Sequence, residues 1–215
     1  MLDLGSFNTL QLDAIREVGN IGTGCAATAL SDMLSCTIRM AVPEVALVSV
    51  YSLSEYYGNP DAIVAAVFMR SSGEFGCSVI FIQKEEDAAL LVDLLLRQQF
   101  GGAIPSSMPE EVYDSAISEV GNIMISSFLN AVNMMIGTHK HENSVPGVAR
   151  DMLASILDVV ASMFGQMGEM ALIIDAELRV DNVKGGAKGG GISSNIIMLP
   201  DPDALELLLG KLKVL

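Results

Sequence analysis

A chain of 215 residues is long enough for one large domain or two small ones, and it can bury enough surface to need no disulfide or metal staple. Hydrophobic residues make up 51% and charged residues 18%, more apolar than a typical soluble domain. Twelve bases against 26 acids give a formal charge of −14, which argues against nucleic acid or an anionic membrane surface as partner.

No stretch reaches the ~18 unbroken apolar residues that a membrane span requires. The start, MLDLGSFNTL, lacks the basic region and apolar run of a signal peptide. Cys25, Cys36 and Cys77 have no metal-ligand spacing and sit among apolar residues. They read as buried thiols in a reducing cytoplasm, the expected location. The 13 methionines read as core filler.

In chain order, 10–34 (LQLDAIREVGNIGTGCAATALSDML) carries apolar residues at helical spacing. Residues 37–58 begin as a strand and end as a short helix or loop. IVAAVFMR (63–70) and FGCSVIFIQ (75–83) read as strands joined by the turn SSGE. EEDAALLVDLLLRQ (85–98) reads as an amphipathic helix. A second long helix covers 110–136, opened by Pro109-Glu110-Glu111. Residues 142–165 read as mostly helical after Pro146. ALIIDAEL (171–178) and ISSNIIMLP (192–200) form a second strand pair around the glycine-rich 181–191, which reads as a flexible hairpin tip. That tip lacks the ending of a phosphate-binding P-loop. DPDALELLLGKL (201–212) closes the chain as a helix, with Asp201 as expected N-cap and Pro202 at its first position.

The order repeats. Glu17-Val18-Gly19-Asn20 returns as Glu119-Val120-Gly121-Asn122, each inside the long helix of its half. A lone hairpin cannot bury its face. The two hairpins are therefore expected to join in one antiparallel sheet of pseudo-two-fold symmetry, with helices packed on it. The expectation is a single α/β (α+β) domain over 1–215, made of repeats at about 7–100 and 108–215.

Asp13, Glu17 and Asn20 are spaced i, i+4, i+7, which places them within about 60° of one another on a helix. Ser115, Glu119 and Asn122 repeat the spacing. Ile15, Val18 and Ile21, echoed by Ile117, Val120 and Ile123, are expected to face the core. Gly19 and Gly121 flank the stripes, and each mid-helix glycine costs roughly 1 kcal/mol relative to alanine. Something must approach the backbone at both places. A solvated helix face with glycines for helix packing is the favoured account of one such stripe; two in register weaken that preference for it over a visiting partner, although duplication alone would copy a structural feature too. His139 and His141 with Glu142 form a poor zinc signal and read as an exposed loop.

The pattern Asp or Ser, three residues, Glu, two residues, Asn, then a proline, resembles the CheC/CheX/FliY family of chemotaxis phosphatases, most of all its CheC-type members. Pro43 follows Asn20 after 22 intervening residues, and Pro146 follows Asn122 one residue later than that. The resemblance covers nearly the whole chain. The end at Leu215 fits a stand-alone, two-site member without a further domain. It implies hydrolysis of the aspartyl phosphate on the response regulator CheY. Asn20 and Asn122 would position the attacking water, and Glu17 and Glu119 would pair with the regulator's lysine. Asp13, Ser115, Gly19, Gly121, Pro43 and Pro146 would support docking, the glycines by letting the regulator's loops approach. No cofactor or metal is expected on this chain; Mg2+ belongs to the regulator. The receptor deamidase CheD is a second implied partner. The alternatives are a non-catalytic CheY-binding module, resembling the middle domain of the flagellar switch protein FliM, and an adaptor acting through CheD.

Overall fold

The computed structural model describes residues 7–40, 44–101, 109–138, 140–165, 170–180 and 191–214. In chain order the elements are α1 (Thr9–Leu34), β1 (Ile38–Met40), β2 (Glu44–Ser49), α2 (Leu53–Tyr57), β3 (Ile63–Gly73), β4 (Cys77–Lys84), α3 (Glu85–Gln99), α4 (Glu110–Met135), β5 (His141–Asn143), β6 (Gly147–Met152), α5 (Leu153–Phe164), β7 (Met170–Val180), β8 (Gly191–Pro200) and α6 (Ala204–Lys211). The mixed α/β class and the antiparallel sheet expected from the sequence are both present.

The strands form one eight-stranded sheet, ordered β1-β7-β8-β4-β3-β5, with β2 also on β7 and β6 also on β3. The two hairpins meet at its centre, where β4 and β8 run antiparallel with Ile80 opposite Ile197. The middle strands are exchanged between halves. β1 and β2 of the first half pair with β7 of the second, and β5 and β6 of the second pair with β3 of the first. Each half therefore completes the other's edge.

Both faces of the sheet are covered. One core joins α1, α3, α4 and α6 to side chains such as Val67, Val79, Phe81, Ile174 and Ile196. The other joins α2 and α5 to Val64, Ile80, Ile82, Ile173 and Ile197. Alternate residues of each central strand thus enter opposite cores, which is why β4 is buried from Cys77 to Gln83 and reads as continuous apolar sequence rather than as alternation.

Several expectations need correction. Residues 147–152 are a strand, not the start of a helix: Val148 stands opposite Val67 in the ladder, and α5 begins only at Leu153. Pairing with an available edge overrides the helix propensity of so short a segment. Asp201 does not cap α6. Its carboxylate is held by the Arg70 guanidinium, with Oδ1 at 2.7 Å, and the helix starts three residues on. Cys25 is exposed and Cys36 half-buried, so only Cys77 is the buried thiol expected of all three. The tip 181–190, His139 and Pro43 lie outside the described residues.

Candidate functional site

α1 is launched by a capping box. The Asn8 side chain accepts from the Gln11 N–H at 3.0 Å and the Gln11 side chain accepts from the Asn8 N–H at 2.9 Å, which satisfies two of the orphan donors of a helix N-terminus. α4 starts differently. Pro109 stands at its N-cap without a side-chain bond. Its first turns are instead tied to the sheet by Arg150 of β6, which contacts Glu110, reaches Asp114 at 3.1 Å and Glu85 of α3 at 3.2 Å, and lies 4.9 Å from the Tyr113 ring centre. Sequence reading did not find Arg150, because its partners lie on two other elements, α3 and α4, far from it in sequence.

Ile15, Val18, Ile117 and Val120 are buried on the sheet as expected. Ile21 is 38% exposed and Ile123 half-buried, which corrects that part of the pattern. Ile21 and Cys25 of α1 line an open groove against Ala131 and Met134 of α4.

Opposite the buried face, the two stripes match. Asp13, Glu17, Ser115 and Glu119 are exposed, and Asn20 and Asn122 are half-buried. Asp13 is paired with Arg16 at 3.0 Å, and the Ser115 hydroxyl donates to the Glu111 carbonyl at 2.7 Å, so both partly serve their own helices. Asn20 keeps its Oδ1 buried and without a hydrogen-bond partner. In the second stripe the Asn122 Oδ1 accepts from the Ser126 hydroxyl at 3.2 Å. Both helices thus present a carboxylate one turn before an amide, within reach of a visitor.

The glycines do not serve that visitor. Gly19 and Gly121 are buried and face the sheet. A Cβ on Gly19 would come 2.9 Å from Cγ2 of Val45 and 3.5 Å from Ile174. One on Gly121 would enter the space of the Val67 side chain. Gly22 meets the Phe128 ring of α4. Glycine lets each long helix sit close on the strands and so fixes the height of the stripe above the sheet. Pro146 is half-buried just before β6.

Among the described residues no group of three or more His, Cys, Asp or Glu could hold a metal ion, and His141 bonds Asn130 at 3.0 Å. Among the described residues no helix is long and apolar enough to cross a membrane.

Residues 10–47, which include the whole first stripe, match the CheC-like family. Over 199 residues the chain is 31% identical to the CheY-P phosphatase CheC of Bacillus subtilis (strain 168), covering 92% of this chain and 91% of that protein. Among solved structures it resembles Thermotoga maritima FliY, with a TM-score of 0.70 at 19% identity, covering 97% of this chain and 99% of that one. A chain of the CheX-CheY-BeF3-Mg2+ complex from Borrelia burgdorferi shares the fold more loosely, with a TM-score of 0.50 at 15% identity over 88% of this chain and 97% of that one. With a relative of this identity aligned along nearly its full length, and with both stripes in place on paired helices, the chain belongs to the CheC-like family.

Proposed function

We propose that the chain is a phosphatase that hydrolyses the aspartyl phosphate of a CheY-type response regulator, using Asn20 and Asn122 as equivalent water-positioning groups. The observation that carries this is the duplicated stripe: two carboxylate–amide pairs, the carboxylates exposed and the amides half-buried, each on a long helix packed closely on the sheet. Support comes from the relative that is itself a CheY-P phosphatase and from the solved complex of a structural relative with CheY.

The chemistry asks little of the protein. An acyl phosphate is already activated, and hydrolysis requires a water in line with the P–O bond. Water attacks phosphorus, the bond to the aspartate oxygen breaks, the carboxylate leaves, and inorganic phosphate carries the added oxygen. Phosphoryl transfer of this kind is governed by positioning and electrostatics. A side-chain amide offers one acceptor and two N–H donors, enough to hold a water and a phosphoryl oxygen together. The Oδ1 of Asn20 has no hydrogen-bond partner to give up but is buried, so the side chain must turn outward on docking to accept from that water. Glu17 and Glu119, one turn earlier, are placed to pair with a lysine of the regulator and fix the docked helix. The Mg2+ that balances the phosphate charge is expected on the regulator. CheD is proposed as a second partner on family resemblance alone.

The test is phosphate release from an acyl-phosphorylated CheY, with and without the chain. Acceleration over the regulator's own hydrolysis supports the enzyme. Tight binding without acceleration supports the non-catalytic module instead.

A further inference from the structure

The two stripes share a carboxylate and an amide but differ one turn later. Ser126 stands four residues after Asn122, and Gly24 stands four residues after Asn20. Residues at that spacing are neighbours on a helix surface. The half-buried Ser126 hydroxyl donates to the Asn122 Oδ1 at 3.2 Å. Gly24 has no side chain to offer, and the Asn20 Oδ1 is buried without a partner.

The Ser126 bond departs from the habit of other helical hydroxyls. A serine or threonine in mid-helix commonly turns its hydroxyl back to the carbonyl four residues earlier. Ser31, Ser115, Thr28 and Thr23 do so, donating to the carbonyls of Ala27, Glu111, Gly24 and Gly19. Ser126 donates instead to a side chain, and that side chain is the amide of the stripe. Thr23 does not replace it in the first half, because its hydroxyl reaches the backbone carbonyls of Gly19 at 2.6 Å and Asn20 at 3.3 Å. Packing does not demand the glycine either: a Cβ on Gly24 would meet nothing within 4 Å.

We infer that Ser126 is a positioning residue of the second stripe: its hydroxyl fixes the Asn122 amide before the regulator docks, whereas Asn20, with Gly24 one turn on, is turned and ordered only by docking. The inference rests on the phosphatase assignment of the stripes. Both amides keep the same chemical role and differ in readiness.

An amide oxygen has two acceptor positions, and its nitrogen carries two N–H donors. With the Ser126 hydroxyl on one lone pair of Asn122, the other stays available for the attacking water, and the plane of the two N–H donors is set. A group that must place a water in line works best when its own rotamer is already locked by a supporting hydrogen bond. The effect belongs to the chemical step, because Glu119 and the rest of the helix face are the same with or without the hydroxyl.

The test is steady-state phosphate release from acyl-phosphorylated CheY with one stripe silenced at a time. In the Asn20→Ala background, Ser126→Ala should lower kcat about three- to tenfold, the worth of one hydrogen bond, and leave KM within about twofold. Serine to alanine raises helix propensity, so a loss of rate there is not a loss of fold. In the Asn122→Ala background, Gly24→Ser should raise kcat about threefold or more. Gly24→Ala, which changes helix propensity without adding a hydroxyl, should leave it unchanged. A readout without the regulator is 15N relaxation of the side-chain amides: Ser126→Ala should loosen the Asn122 NH2 group and leave that of Asn20 as in the wild type. A wild-type chain that gives no acceleration removes the phosphatase assignment and the positioning role with it. Acceleration by the wild type overturns the positioning role alone if Ser126→Ala keeps its kcat, changes only KM or leaves the Asn122 amide as ordered as before, or if Gly24→Ala matches Gly24→Ser.

Discussion

Gly121 of the second long helix lies so close to Val67 of β3 that a Cβ there would fall within the valine side chain. In the first half, Gly19 stands over Ile174 of β7 and Val45 of β2, but with more room. Val67 is fully buried on an inner strand, with β4 on one side and β6 on the other, whereas Val45 is half-buried on a strand paired on one side. Gly121→Ala should therefore destabilise by about 2–3 kcal/mol through overpacking. Gly19→Ala should cost under about 1 kcal/mol, because the gain in helix propensity offsets a small shift of Val45. Urea unfolding of the two variants beside wild type measures both.

Arg150 holds the uncapped start of α4. Each of its ion pairs is partly solvated, which reduces its worth, but the guanidinium also stacks on Tyr113. Arg150→Ala should cost about 1–2 kcal/mol. Amide hydrogen exchange should quicken in the first two turns of α4 and stay unchanged in α1, which has its own capping box. The phosphatase contribution of the Glu119–Asn122 stripe should fall with it.

Cys77 is wholly buried, and desolvation pushes its thiol up to about 12 from 9.0. Burial likewise pushes the Tyr113 hydroxyl up to about 12, with Glu85 adding to it. A group whose folded pKa is raised holds its proton more tightly in the native state. The associated stability is complete below pH 9 and is lost as pH climbs from 9 toward 12. Thermal melts should fall over that window, and Cys77→Ala should flatten the fall even though it loses some packing at every pH.

The three cysteines should separate by reactivity. Cys25 is exposed, Cys36 half-buried with a raised pKa, and Cys77 buried. Iodoacetamide on the native chain should modify Cys25 first and Cys77 only after denaturation. Cys25 lines the groove beside Ile21, one residue past Asn20. Mass mapping of the modified peptides gives the order.

The sequence carried the elements that rest on local pattern. Both long helices, both hairpins and the repeat were readable because helical spacing and turn residues act over a few positions. What depended on pairing across the chain was hidden. Strand 147–152 exists because β3 offers it an edge. Asp201 abandons the cap position because Arg70, far away in sequence, folds over it. The exchange of middle strands between halves left no local trace. At the site, the carboxylate–amide stripe was legible from spacing alone, and Asp13, Glu17, Ser115 and Glu119 are exposed as that spacing requires. The glycines were legible as a demand for close approach but not as to what approaches. The sheet beneath them does, a distinction that only Val67, Val45 and Ile174 in place could make.

The most direct measurement compares Asn20→Ala, Asn122→Ala and the double variant for phosphate release from acyl-phosphorylated CheY, alongside the affinity of each for the regulator. Each single variant should retain part of the activity. The double variant should lose nearly all of it, about a hundredfold or more, while binding the regulator within about threefold of wild type, since Glu17 and Glu119 are intact. A double variant that releases phosphate at the wild-type rate would contradict the assignment of these two amides to catalysis.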